Sequence, residues 1–93
     1  MGRLTGGLVL RDFKHLKIGA TCVVIHDFTD HDGGVHAAGE AWRFLGHSFV
    51  PYYDGLSLYI LPDGGDERQI RLQWTADAEG AIIDALETYV QPV

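Results

Sequence analysis

A mainly β fold finished by one C-terminal helix is what this 93-residue chain predicts, on three observations. Short stretches of alternating apolar and polar residues recur along its middle. Asp-Gly steps at Asp32-Gly33, Asp54-Gly55 and Asp63-Gly64 separate them, and both residue types tolerate the left-handed conformations of tight turns. After Trp74 the apolar spacing lengthens from two residues to three and four, the helical period.

Residues 8–16 are ambiguous: Leu8, Val9, Phe13 and Leu16 would fit a short helix, against which Gly6 and Gly7 count. "LKIGA" offers a turn at Gly19, and the β-branched run "CVVIHDF" reads as the first strand. In "EAWRFLG", Trp42 and Phe44 share one face, and Gly46 suggests a bend where that strand turns a corner. "FVPYY" and "LSLYI" form a hairpin across Asp54-Gly55, with Pro51 expected at an edge or bulge because it cannot donate to a ladder. "LPDGGDER" is a looser connection into "QIRLQW", where Ile70, Leu72 and Trp74 alternate with Arg71 and Gln73. Ile82, Ile83, Leu86, Tyr89 and Val90 then make the inner face of a helix capped by Thr75 or Asp77 and ended by Gln91-Pro92. The Trp74 ring is expected to be buried against the helix face carrying Ile82 and Leu86.

Four or five short, bent antiparallel strands suggest a small SH3-like antiparallel barrel. The alternative is an α+β arrangement, an antiparallel sheet with one helix packed on it. The length supports a single domain over residues 1–93, with about residues 1–14 a loosely packed N-terminal segment.

Thirteen Asp and Glu against seven Lys and Arg leave a formal charge of −6. No basic cluster exists, and residues 18–42 carry no Lys or Arg, so nucleic acid is not an expected partner. The single cysteine, Cys22, excludes an internal disulfide and lies in the apolar run "TCVVI", where a thiol acts as a small core residue. No stretch approaches the roughly 20 apolar residues that span a bilayer. With no secretory pattern and no Asn to glycosylate, the expected compartment is the cytoplasm and no membrane partner is expected.

The stretch "HDFTDHDGGVHAAGE", residues 26–40, concentrates the polar chemistry. His26, His31 and His36 lie five apart, with Asp27, Asp30 and Asp32 among them. If a divalent transition metal binds, Asp30, His31, Asp32 and His36 are its candidate ligands, since Gly33-Gly34 could fold the loop back on itself. A calcium loop fits poorly, because Thr29, His31 and Gly33 fall where acidic ligands are needed. The plainer reading is a solvated turn whose aspartates bond their own backbone, held down only by Val35, Ala37 and Ala38. Replacing its polar residues is then expected to leave folding almost unchanged. Catalytic constellations are thin. Ser48 and Ser57 lack a nucleophile-elbow setting, and Cys22 and His26 stand too far apart along a strand to pair. No catalytic residue and no resident cofactor are assigned, and an enzyme is the less favoured class.

The blocks Gly39-Glu40-x-Trp42 and Pro51-Tyr52-x-Asp54-Gly55-Leu56, within a pattern running over residues 15–90, resemble a family of small bacterial proteins known as a domain of unknown function. The resemblance implies a bacterial origin and brings no assigned activity.

The functional expectation is therefore a small, acidic, cytoplasmic interaction module. It binds a protein or peptide with some positive charge through the 29–39 loop and the Tyr52–Gly55 turn. The binding residues assigned are Asp30, His31, Asp32, His36, Tyr52, Tyr53 and Asp54. An immunity or inhibitor protein against a basic toxin is a special case. A metal-binding protein or metal-dependent enzyme built on the His/Asp loop is the competing class.

Overall fold

The longest hairpin organises the molecule. In the computed structural model, which describes residues 10–93, strand β4 (Ala41–Val50) runs antiparallel to β5 (Gly55–Pro62). Their register slips between Phe44 and Gly46, a β-bulge at the corner that the glycine suggested. Gly46 takes φ +136°, and a Cβ there would stand 2.4 Å from that of Leu10, so only glycine fits. The reversal itself comes earlier than the Asp-Gly step implied. Pro51–Tyr53 form one 3-10 turn, Asp54 follows at φ 51°, and Gly55 already belongs to β5. Proline's fixed φ starts such a turn, and Asp tolerates the left-handed residue that ends it.

Two strands extend the hairpin on either side. Beyond β5 lies β6 (Arg68–Gln73), and beyond β4 lies β1 (Thr21–Val24), itself paired with a terminal β7 (Val90–Pro92). The order β6-β5-β4-β1-β7 is antiparallel throughout, and its end strands do not pair. The sheet is thus open, which matches the second of the two architectures, a sheet with one small helix, rather than a closed barrel. The run "CVVIHDF" is not one strand. The chain leaves the sheet after Val24, and Phe28–Thr29 (β2) pairs with Val35–His36 (β3) in a separate small hairpin.

The C-terminal helix is much shorter than its apolar period suggested. The helix α1 spans Gly80–Asp84, a 3-10 turn covers Leu86–Thr88, and β7 follows. Ile83, Leu86 and Val90 are fully buried, while Ile82 and Tyr89 pack against the core, so the inward set is as expected. The helix yields because Val90 pairs with Val24 and the Val93 N–H donates to the Thr21 carbonyl, bonds that a continued helix would forfeit. Pro92 is tolerated because β7 is an edge strand. Neither Thr75 nor Asp77 caps the helix. Thr75 Oγ1 donates to Asp77, and the N-cap residue, Glu79, makes no side-chain cap. Trp74 is half-buried rather than sunk under the helix. Its ring meets the edges of Phe13 (5.9 Å) and Phe49 (5.7 Å), and Nε1 donates to Asp84 Oδ1.

The core lies on the sheet face carrying Trp42, Phe44, Leu56, Leu58, Ile60, Ile70 and Leu72, and Phe13, Leu16 and Phe28 help cover it. Phe13 and Leu16 exchange backbone hydrogen bonds around Lys14 at φ 52°, a tight turn rather than a helix. Leu8, Val9 and residues 1–9 of the expected N-terminal segment lie outside the described residues. Cys22 is wholly buried, and burial pushes its thiol up from the ordinary value. No described helix is long and apolar enough to cross a membrane.

Candidate functional site

The 26–40 stretch closes on itself through Asp30. One carboxylate oxygen accepts the amides of Asp32 (3.0 Å) and Gly34 (2.8 Å), the Asx geometry that makes Asp a turn residue. The other accepts from His36 Nε2 at 2.8 Å, and a Cβ on Gly34 would press to 2.8 Å from it. His36 Nδ1 meets Glu40 Oε2 at 2.7 Å, and that oxygen also accepts the Trp42 indole N–H at 3.0 Å. A neutral imidazole donates to only one of two carboxylates, whereas the imidazolium donates to both. Phe28 stacks on the ring at 4.8 Å, so the imidazole is fixed in plane as well as at its edges. The His36 and Asp30 side chains are only 14% and 10% exposed. Burial pushes the Asp30 carboxyl up, but His36 and the Gly34 and Asp32 amides outweigh it and hold it below its ordinary value.

The hairpin tip is clamped to the main sheet as well. The His31 amide donates to the Arg71 carbonyl (2.8 Å), and Arg71 reaches back to Asp32 Oδ1 (2.8 Å). His31 Nδ1 meets Glu79 Oε1 at 2.9 Å, and the same oxygen accepts the Gln73 amide. The tip is solvated and its aspartates bond their own backbone as expected, but the expectation that it is loosely held is corrected here. Its expected apolar anchor, Val35, is 70% exposed, and polar contacts hold it instead. The reason is register: outward-pointing backbone groups of β6 need partners, and the hairpin supplies one of them.

The other assigned region is bare. Tyr52 is 92% and Tyr53 71% exposed, with ring centroids 6.0 Å apart. Gln73 Nε2 donates to the Tyr53 carbonyl, which ties the turn to β6. His31, Tyr53, Arg71 and Gln73 line one groove on that side of the sheet, about 290 Å³ at its more enclosed end, and its open end continues past Thr75 and Asp77.

Of the assigned residues, the groove gathers His31 and Tyr53, with Asp32 attached through Arg71. Asp30 and His36 face a different cavity, and Tyr52 and Asp54 line neither. Arg71, Gln73 and Glu79 escaped the sequence reading. No local signal marks them, since their partners lie 39 (Asp32), 20 (Tyr53) and 48 (His31) residues away. The candidate metal ligands do not converge. Among the described residues no three His, Cys, Asp or Glu side chains are placed to hold an ion, and both His36 nitrogens are taken by carboxylates.

No curated protein matches the chain. A solved structure from the mobile metagenome of Vibrio cholerae, an integron cassette protein, is 34% identical and superposes with a TM-score of 0.87. The match covers 90% of this chain and 97% of that one. A family model matches residues 9–93, nearly the whole chain. The chain therefore belongs to the family described as Domain of unknown function (DUF3601).

Proposed function

We propose that this protein is a cytoplasmic interaction module whose groove between His31 and Tyr53 receives an extended, basic segment of a partner protein. The observation that carries this reading is the pair of exposed tyrosines on a turn tied down by Gln73, beside a groove with polar walls. Large aromatic side chains held in place lose little entropy on binding and dominate interface energetics. Asp32 and Asp77 flank the groove region, Asp54 follows the tyrosines, and Arg71 is engaged by Asp32, so local charge and the net −6 both favour a cationic partner. A basic toxin domain is one partner of this kind.

The test is an NMR titration of the full chain with Lys/Arg-rich, neutral and acidic peptides of equal length. Basic peptides are expected to shift the amides of His31, Tyr53, Arg71 and Gln73, with weaker binding at higher salt. Tyr53→Ala should weaken that binding by about tenfold or more. Equal response to all three peptides, or shifts confined to other faces, would remove the reading.

A further inference from the structure

A second cavity, about 380 Å³, separates the β2–β3 hairpin from β5 and β6, and none of His31, Tyr53, Arg71 or Gln73 lines it. Its walls are of three kinds. Val35, which is exposed, and the half-buried Pro62 give apolar surface, while the Trp42, Ile60 and Ile70 side chains that also line it are buried in the core. At the hairpin wall, Asp30 and Glu40 share the one imidazole of His36, so even a doubly protonated ring leaves one negative charge over. Glu40 Oε2 serves both His36 and Trp42, whereas Oε1 has no hydrogen-bond partner among the described residues. On β6, Arg68 brings a positive charge, and its guanidinium has no ion pair among the described residues.

We propose that this cavity binds a free α-amino acid with an apolar side chain of about the size of leucine. The ammonium group donates to Glu40 Oε1, the carboxylate takes the Arg68 guanidinium, and the hydrocarbon lies against Val35 and Pro62. A simple organic cation would leave Arg68 unanswered, and an apolar carboxylic acid would leave Glu40 so. Only a zwitterion answers both charges while its side chain covers the apolar wall beside them. The volume lies at the small end of the roughly 300–1,000 Å³ of ligand pockets, which suits one amino acid rather than a peptide. Guanidinium and carboxylate also match in planar, two-bond geometry.

The experiment follows amide shifts of the full chain with L-leucine, N-acetyl-L-leucine and L-leucinamide. Leucine should bind saturably, and each capped derivative should bind about 10- to 100-fold more weakly, the span of a lost charge-assisted hydrogen bond. Arg68→Gln, an exposed change that should not disturb folding, is expected to abolish the preference for leucine over leucinamide. Tyr53→Ala should leave leucine binding unchanged, which separates this cavity from the peptide groove. No saturable shift with leucine at about 1 mM, the weak end of specific binding, would overturn the proposal. Leucinamide binding as tightly as leucine, or an indifferent Arg68→Gln, would do the same.

Discussion

The β2–β3 hairpin and the β4–β5 turn both read as exposed recognition loops, and they have opposite fates. In the hairpin the assigned side chains end on the protein: Asp30 on its own backbone and His36, His36 on two carboxylates, His31 on Glu79, Asp32 on Arg71. In the turn, Tyr52 and Tyr53 project into solvent, and among the described residues each has only the other in ring contact. The difference teaches that polarity does not by itself mark a solvent-facing segment. Histidines and aspartates can satisfy one another and build a rigid element. Exposed aromatics have little part in the fold, and on the proposed reading they are the surface kept for a partner.

The largest test of this contrast replaces Asp30, His31, Asp32 and His36 together by serine. Stability should fall by about 4 kcal/mol or more in urea unfolding, because several charge-assisted bonds go at once. A loss under about 1 kcal/mol would return the hairpin to the class of free surface loops. His36→Ala alone sharpens the point. It takes away the ring between Asp30 and Glu40 and strips Phe28 of its stacked neighbour, at an expected cost of about 2–4 kcal/mol.

Acid provides a subtler probe. Asp30 is held below its ordinary value of 3.8 in the folded state, so it binds protons more readily when unfolded. Its contribution is therefore complete above that value and disappears as pH falls through the lower folded one. Urea unfolding measured stepwise below about pH 4 should show stability dropping, with a shallower slope in Asp30→Asn. Equal slopes in the two proteins would mean that His36 does not hold the Asp30 carboxylate as drawn. The smallest effect belongs to the turn: Tyr52→Ser and Tyr53→Ser should each change stability by no more than about 0.5 kcal/mol. A larger loss would mean that the tyrosines brace the fold and would weaken their claim as a binding surface.

Much of the sheet was legible because its signals are local. Alternation placed Leu56, Leu58, Ile60, Ile70 and Leu72 on one buried face, and Gly46 suggested a bend, which the structure makes with a bulge that only a residue without a side chain permits. The 82–90 spacing likewise named the inward residues, yet not their backbone, since a helix followed by a tight turn and a strand can present the same side chains to a core. Half of the candidate groove was visible in Tyr53 and His31, and the other half was not.

What the chain by itself determined is the set of apolar faces, the places where it bends, and its acidic, single-cysteine character, all consequences of neighbours a few residues apart. Only the tertiary structure decided that the sheet stays open, that Val90 leaves the helix to pair with Val24, and that His31 finds Glu79 across 48 residues. Those outcomes depend on which distant backbone groups and side chains remain unsatisfied once the sheet has formed. A buried or clamped polar group takes whichever partner the packing brings within reach, and no short stretch of sequence carries that information.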